Sequence, residues 1–313
     1  MAEHARLPAA MRAAALVLLA GFDERQRSAG CRPFADTARR RFTYLPRPRP
    51  GVCLADLDRD GRKAAHRLLA TALSPSGYAQ AAAIMALEEV LDRQEGWRRG
   101  RHSNDFWIAV FGDPARDECW AWRWEGHHLS VSLTLDGQQV HPTPLFLGAD
   151  PATVSAAGQH VLRPLGAEED LARALIDAMG PDARRLAIVA DTPPADIRSS
   201  TRPRITAPIV PAGVGIARLN PVSRTLLDQL IAVYLSRLAG ELACRETARL
   251  TGAELTFAWE GPLQPGTGHY YRIQGRDLLI EYDNTADGAN HAHTVLRHPA
   301  RDFGGDALAP PRA

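Results

Sequence analysis

The sequence predicts an α+β protein whose strands form one largely antiparallel sheet or open barrel surrounded by helices. Apolar residues recur at helical spacing from about 5 to 100 and from about 151 to 250. Stretches rich in aromatic and β-branched residues, typical of strands, occupy about 104–145 and about 254–298. Two separate small sheets would each leave an exposed edge, so we expect both strand groups to pair in a single domain, 1–313.

The first helical part is predicted to contain helices at 5–28 and 61–97, with a break at "SPSG". The apolar run "AAALVLLAGF" has the length of a signal-peptide core, but no clear cleavage site follows it. We therefore interpret this run as part of the first helix and expect a cytoplasmic protein rather than a secreted one. No run approaches the ~20 apolar residues that a bilayer-spanning helix needs, so no membrane association is expected.

The strand groups are separated by turns that the sequence makes recognisable. "LDGQQV" is typical of a β-hairpin, and "IQGRD" predicts a second hairpin within the last strand group. Residues 191–213 are rich in proline, serine and threonine and are predicted to be a long irregular loop. The sequence shows no internal repeat.

Composition and charge exclude several classes of function. The 37 basic and 36 acidic residues leave a formal charge of +1, so no global field attracts nucleic acid or an anionic membrane. The four cysteines form no C-x-x-C pair, which argues against a disulfide framework and a thiolate zinc site. No G-x-G-x-x-G, P-loop or G-x-S-x-G motif is present, so we expect no nucleotide cofactor.

Ligand-type side chains concentrate near the end of the chain, in "IEYDNTADGANHAHTVLRH". In a strand, residues two apart share a face, so His291 and His293 point the same way, as do Glu281 and Asp283 on the preceding strand. Imidazole and carboxylate ligands suit a divalent transition metal such as zinc, iron or manganese. The alternative is that the two histidines only form hydrogen bonds that support the turn.

A second pair of histidines precedes the strand "LSVSLTL". As neighbours at the head of a strand, His127 and His128 are expected to point to opposite faces. His128 should then share the polar face of that strand and join the metal site as a third ligand if this face lines a cavity. His127 is expected at the edge of the core, with its ring nitrogens bonded to the backbone.

The motifs "EGHHLSVSLTL", "TPLFLGADPA", "IEYDN", "NHAH" and "DFGGDAL" together resemble a large bacterial and fungal family of uncharacterised proteins, domain of unknown function thirty-five hundred. The resemblance spans nearly the whole chain, to about residue 308. It implies no activity, but it implies that the polar motifs are the family's own signature. The chain departs from the pattern at Leu296, where a tryptophan is common, and in a tail that lacks a terminal histidine. The matching positions are Gly126, His127, His128, Thr143, Pro144, Glu281, Tyr282, Asp283, Asn284, Asn290, His291, His293, Arg297, Asp302, Phe303 and Gly304.

Two classes of function follow from these residues. The first is a metal-dependent enzyme, with hydrolysis favoured because a metal with an open position activates water, and with a metal-dependent oxidoreductase as the alternative if the ion is iron or copper. The second is a binding or structural module in which the same residues form a buried hydrogen-bond network. The substrate and the oligomeric state stay open. The enzyme hypothesis assigns the metal to His291 and His293 with His127 or His128, and catalysis to Glu281, Asp283, Asn284 and Arg297.

Overall fold

The computed structural model describes residues 6–305. This part of the chain contains eight α-helices and fifteen β-strands. The helices are α1 (Arg6–Ala20), α2 (Glu24–Gly30), α3 (Arg59–Ala72), α4 (Pro75–Gln94), α5 (Gly166–Ala178), α6 (Pro181–Ala187), α7 (Pro221–Leu235) and α8 (Gly240–Arg249). The strands are β1 (Cys31–Arg32), β2 (Val52–Cys53), β3 (Phe106–Phe111), β4 (Cys119–Gly126), β5 (Leu129–Asp136), β6 (Gln139–His141), β7 (Leu145–Ala149), β8 (Val154–Ala156), β9 (Gln159–Leu162), β10 (Ile188–Ala190), β11 (Val214–Gly215), β12 (Thr256–Glu260), β13 (Tyr270–Gln274), β14 (Leu279–Ala286) and β15 (His291–Arg297).

Thirteen of these strands form one open sheet in the order β1-β3-β4-β5-β7-β15-β14-β13-β12-β10, with β2, β6 and β11 paired beside β3, β5 and β12. The neighbours from β3 through to β12 are antiparallel, and the two outermost pairs, β1–β3 and β10–β12, are parallel. The predicted α+β class is confirmed, as an open sheet rather than a barrel.

The two strand groups meet where β7 pairs with β15, which confirms the prediction that they share one sheet. In that pair His293 lies opposite Gly148, and on the other side of β7 Leu147 lies opposite Leu129 of β5. The junction therefore brings the head of β5 and the start of β15 to either side of one short strand.

The two faces of the sheet are covered differently. On one face, apolar side chains such as Trp120, Trp122 and Trp124 pack with the helices in one large core. The other face carries buried polar side chains and is covered by two segments, which we name the first loop (residues 33–51) and the second loop (residues 191–213). Helices thus cover one face rather than surround the sheet, because the polar face needs hydrogen-bond partners that irregular backbone supplies and helix surfaces do not.

The order of elements in the first half of the chain is repeated in the second. In the first half, the elements follow in the order α1, α2, β1, first loop, β2, α3, α4, β3, β4, β5. In the second half, the corresponding order is α5, α6, β10, second loop, β11, α7, α8, β12, β13, β14. The pairing register repeats as well, since Val52 lies opposite Ile108 and Val214 opposite Phe257. The sheet order is accordingly palindromic about the β7–β15 pair.

The sequence carries a weak trace of this duplication, so the expectation of no internal repeat is wrong. "GVCLADL" at 51–57 corresponds to "GVGIARL" at 213–219, and the next residues, Asp58 and Asn220, both cap the helix that follows. Both glycines have a positive φ, 137° at Gly51 and 84° at Gly213. A Cβ on either would lie within 2.7 Å of a strand carbonyl oxygen, so both close approaches need glycine.

Two predicted helix boundaries differ from the structure. The helix predicted over 5–28 is two helices, because the Asp23 side chain accepts a hydrogen bond from Gln26 and starts a new one. Helical structure resumes at Gly166 rather than near 151, since the intervening residues form the β8–β9 hairpin. The long loop at 191–213 and both hairpin turns are confirmed. None of the helices between residues 6 and 305 combines the length and the apolar character that a membrane crossing requires.

Candidate metal centre

His128 lies in the tight turn between β4 and β5, not on a strand. Its backbone has φ 59°, a left-handed conformation that is uncommon for a residue with a side chain and tends to mark functional positions. Because the two histidines occupy a turn, they do not alternate as strand residues would, and the rings of His127 and His128 stack with centroids 3.7 Å apart. The turn directs the His128 ring across β7.

His291 and His293 begin β15 and share the face that the loops cover, as their spacing predicts. The Nε2 atom of His291 lies 2.8 Å from Nε2 of His128 and 3.1 Å from Nε2 of His293. Three imidazole nitrogens from two distant parts of the chain therefore converge on one point.

The convergence depends on a glycine between the rings. Gly148 of β7 lies beneath them, and a Cβ at this position would lie 2.7 Å from Cδ2 of His128 and 3.1 Å from Cδ2 of His293. Any larger residue would push the two rings apart, so the close approach requires this glycine.

Carboxylates hold the outer nitrogens of two of the three rings. Nδ1 of His291 lies 2.9 Å from Asp287, and Nδ1 of His293 lies 2.9 Å from Asp196. Two further carboxylates lie slightly farther away, Asp150 at 3.6 Å from His291 and Asp283 at 3.3 Å from His293. A carboxylate on the outer nitrogen fixes the tautomer and leaves Nε2 free to coordinate, the usual arrangement around metal-binding histidines.

The two loops meet at this carboxylate shell. Asp196 belongs to the second loop, and its other carboxylate oxygen accepts a hydrogen bond of 2.6 Å from the hydroxyl of Tyr44, in the first loop. The Tyr44 ring stacks on Phe146 of β7 with centroids 4.2 Å apart. One chain of contacts thus joins both loops to His293.

The protonation of the rings follows their surroundings. Burial lowers the pKa of His128, and the neighbouring histidines lower it further. Burial also opposes charge on His293, but the hydrogen bonds and charges of Asp196 and Asp283 outweigh it and raise the pKa of His293 to about 9. A cation at the three Nε2 atoms would take the place of that proton.

The cluster has a side open to solvent. The side chains of His291 and His293 are 18% and 13% exposed, whereas that of Asp287, beside them, is 66% exposed. The cluster therefore lies near the protein surface, with His291 and His293 partly in contact with solvent and His128 buried behind them.

Hydrogen bonding alone does not satisfy this arrangement. A ring nitrogen offers either one proton or one lone pair, and Nε2 of His291 faces two other Nε2 atoms at once. Metal–nitrogen bonds of about 2.0–2.1 Å at tetrahedral angles separate ligand nitrogens by roughly 3.3 Å. The two separations from His291, 2.8 and 3.1 Å, are a few tenths of an ångström shorter than that value.

Three of the residues predicted to be catalytic lie in other contacts. Glu281 is fully buried, and it accepts hydrogen bonds from the backbone of Ser199 and, at 2.8 Å, from the Tyr270 hydroxyl. Asn284 accepts a 2.8 Å bond from the backbone of His269. Arg297 donates to Asp302 at 2.7 Å. Glu281 and Arg297 fasten the second loop and the C-terminal turn to the sheet, and Asn284 ties β14 to the start of β13, whereas Asp283 contacts His293.

His127 does not share the convergence point of the other three histidines. Its Nδ1 lies 2.6 Å from Glu88 of α4, a side-chain partner rather than the expected backbone one. Because its ring stacks on His128, it supports the orientation of that ring.

Sequence reasoning did not identify Asp196, Asp287, Asp150, Tyr44 or Gly148. Asp287 lies four residues before His291 in a turn whose path the spacing does not define, and Asp196 is one of several acids in a long loop. Gly148 and Asp150 lie within "TPLFLGAD" and Asp287 lies within "IEYDNTADGANHAHTVLRH", motifs that were already singled out, whereas Tyr44 and Asp196 lie outside them. The tail at 309–313, where the resemblance implies a further histidine, lies outside the described residues, and Leu296 packs in the core on the helix side.

Comparison with known proteins gives a family but no characterised relative. A family model described as "Protein of unknown function (DUF3500)" matches residues 5–305. No curated protein and no solved structure matches the chain. Because the match covers nearly the whole length, the chain belongs to the DUF3500 family.

Proposed function

We propose that His128, His291 and His293 bind a divalent transition metal ion and that the protein is a metal-dependent enzyme. The observation that carries this proposal is the closeness of three ring nitrogens. Nε2 of His291 lies 2.8 Å from Nε2 of His128 and 3.1 Å from Nε2 of His293. Nε2 of His291 can form a hydrogen bond in only one of these two contacts, whereas a shared cation would coordinate all three nitrogens.

Hydrolysis is the reaction that this ligand set favours. A metal ion held by three protein nitrogens keeps a fourth position for water and lowers the pKa of that water to about 7. The open side of the cluster provides access for a substrate. The carboxylates on the outer nitrogens of His291 and His293 would act as positioning groups that raise ligand basicity, not as the nucleophile.

Metal content is the first test. We expect the purified, untagged protein to contain one transition metal ion per chain by elemental analysis, and the His291→Ala/His293→Ala variant to contain none while retaining its circular dichroism spectrum. A matched control is His102→Ala/His160→Ala, which removes two exposed histidines outside the cluster. Equal metal content in all three proteins, or none in any of them after reconstitution, would refute the metal site.

The identity of the ion selects the reaction. Zinc or manganese, with hydrolysis of activated ester or phosphoester test substrates that chelation abolishes, would support the hydrolase. Iron or copper, with oxygen consumption and no hydrolysis, would replace it by the oxidoreductase. A folded protein that binds no metal would leave a structural hydrogen-bond network as the role of the cluster.

We also propose a cytoplasmic location and a small-molecule substrate. All four cysteines are free, as expected in a reducing compartment, and the near-neutral formal charge of +1 gives no general attraction to nucleic acid. Fractionation of cells that express the untagged chain tests the location, and recovery in an extracellular or membrane fraction would contradict it.

A further inference from the structure

A cleft of about 540 Å³ lies between the two loops, beside the β4–β5 turn that carries His128. Its polar lining is mainly cationic. Its lining includes Arg41, Arg47, Arg49, Arg123 and Glu125, and Thr201 of the second loop.

The floor of the cleft carries two buried guanidinium groups and one carboxylate. Arg49 and Arg123 are only 6% and 3% exposed. Glu125 lies 3.7 Å from Arg49 and 3.5 Å from Arg123, because one of its oxygens instead accepts hydrogen bonds from the backbone of Thr43 and the hydroxyl of Ser130. One carboxylate is therefore shared by two buried guanidinium groups, which leaves one positive charge in excess.

The repeated half of the molecule provides an internal comparison. Arg272 of β13 occupies the position equivalent to Arg123, since Ala109 lies opposite Arg123 and Ala258 opposite Arg272. There the carboxylate of Glu260 lies 2.7 Å from Arg272 and also forms a close ion pair with Arg198. Both halves thus place two arginines on one carboxylate, but in the first half both arginines are buried and their ion pairs with Glu125 are longer.

One buried donor at the cleft is also left over, although the terminal nitrogens of Arg49 and Arg123 donate to backbone carbonyls of the first loop and of Gly126. The Nε atom of Arg49 is buried and has no hydrogen-bond partner within the described chain. Burial lowers the pKa of Arg49 to about 10, opposed by Glu125 and reinforced by the positive charges of Arg47 and Arg123. At the rim, Arg41 and Arg47 are exposed, and no carboxylate between residues 6 and 305 pairs with either.

We propose that this cleft is a binding site for a small molecule that carries an oxyanion, a phosphate or a carboxylate. Guanidinium forks bind both groups through paired hydrogen bonds, and an anion at the floor would neutralise a buried charge that the protein leaves uncompensated. Arg49 also donates a 2.9 Å hydrogen bond to the carbonyl of Gly126, immediately before His127 and His128. The bound anion would therefore contact an arginine that supports the metal-binding turn.

Isothermal titration with inorganic phosphate and with citrate tests the site. We use the His291→Ala/His293→Ala background, so that neither anion can bind through a metal ion and the result does not depend on the metal proposal. Ionic strength is held constant with chloride. Saturable binding of one anion per chain is expected, weakened at least tenfold in Arg41→Ser/Arg47→Ser. Preference for phosphate would indicate a phosphorylated ligand, and preference for citrate a carboxylate.

Arg116→Ser is the matched control, because Arg116 is 86% exposed in the β3–β4 loop, at the other end of β4. It should bind the anion as the parent does. Arg49→Lys, which keeps the charge but not the planar fork, should also weaken binding. Absence of saturable binding by either anion, or equal weakening by Arg116→Ser, would overturn the proposal.

Discussion

At the scale of single residues, the proposed metal centre depends on a glycine, because a side chain at that position would displace the histidine rings. Gly148 lies beneath the rings of His128 and His293. The Cβ of an alanine there would lie 2.7 Å from Cδ2 of His128 and 3.1 Å from Cδ2 of His293. We expect Gly148→Ala to weaken metal binding more than tenfold, roughly the effect of losing a supporting contact in known metal sites. The dissociation constant, measured by competition with a chromogenic chelator, checks this.

Gly215→Ala is the control for that measurement. Gly215 also belongs to a strand, has φ −69°, and an added Cβ would meet nothing within 4 Å. Its metal affinity should equal that of the wild type. If Gly148→Ala bound metal equally well, the three rings would not need to converge as they do here.

The buried side chain of His269 should make the free energy of unfolding depend on pH. This residue is fully buried against Trp259, and burial lowers its pKa to about 4, aided by Arg173 and opposed by Glu169. The unfolded chain, with a histidine pKa of about 6.5, binds this proton more readily. The contribution of neutral His269 to the free energy of unfolding is therefore fully present above pH 6.5, and it decreases by about 3 kcal/mol as the pH falls towards 4.

His269→Phe removes that titration while keeping a ring that can stack on Trp259. Between pH 7 and pH 4, the free energy of unfolding of the variant should fall less steeply than that of the wild type, as measured by urea titration at each pH. His160→Phe, an exposed histidine, should leave the wild-type slope unchanged. Identical slopes for all three proteins would show that His269 is not buried in its neutral form.

Which residues form the site could be predicted only in part. The two-residue spacing of His291 and His293 defines their common face, because strand geometry depends only on local sequence. Asp196 and Tyr44 reach the site because the loops fold over the sheet, and no local pattern encodes that path. Glu281 lies on the same face as Asp283, as predicted, but the backbone of Ser199 in the second loop covers its carboxylate and keeps it away from the histidines.

At the scale of elements, the second loop is a structural part of the proposed metal centre. Asp196 connects His293 to Tyr44 of the first loop through contacts of 2.9 and 2.6 Å. We expect Asp196→Asn to lower metal affinity about 10- to 100-fold. The reason is that asparagine lacks the negative charge with which Asp196 holds Nδ1–H of His293 and raises the basicity of its Nε2. Hydrogen exchange should also become faster in both loops, since the variant weakens their mutual contact.

Asp191→Asn is the matched control, an exposed acid at the start of the same loop. It changes the net charge equally and should alter neither metal affinity nor exchange. Tyr44→Phe should accelerate exchange in the loops with a smaller loss of affinity, because Asp196 would still contact His293. Wild-type behaviour of Asp196→Asn in both measurements would remove the second loop from the site.

Element types could be predicted where the hydrophobic period is long and unambiguous, as in α3, α4 and β5. The segment after β7 was misassigned because its short, exposed β8–β9 hairpin has neither a buried face nor a strand-like composition. The loops were recognisable as irregular from their proline content, but their role in covering the polar face of the sheet is a tertiary property.

At the scale of the whole molecule, the duplicated halves explain where the proposed metal centre lies. The palindromic sheet places β7 of one half beside β15 of the other, so His128 comes from the first half and His291 and His293 from the second. The duplication is hard to see in the sequence because packing and register, rather than residue identity, are what the two halves share.

Because the ligands come from both halves, separating the halves should separate the ligands. Cutting the chain at the exposed tip of the β8–β9 hairpin, between Ala157 and Gly158, gives two fragments, 1–157 and 158–313. Each fragment alone leaves β7 or β15 as an unpaired edge, so we expect both to aggregate and to bind no stoichiometric metal. Expressed together, they should form a 1:1 complex, because the β7–β15 ladder is supported by contacts between the helical turns, such as the hydroxyl of Ser74 with the carbonyl of Ser236 at 2.6 Å.

Size-exclusion chromatography with elemental analysis measures both outcomes at once. His128→Ala in the first fragment should remove the metal from the complex without preventing assembly, which separates the metal centre from the interface. A second fragment that stayed monomeric and bound metal alone would show that His291 and His293 need no ligand from the first half. It would place the centre within one repeat and contradict the assignment of His128.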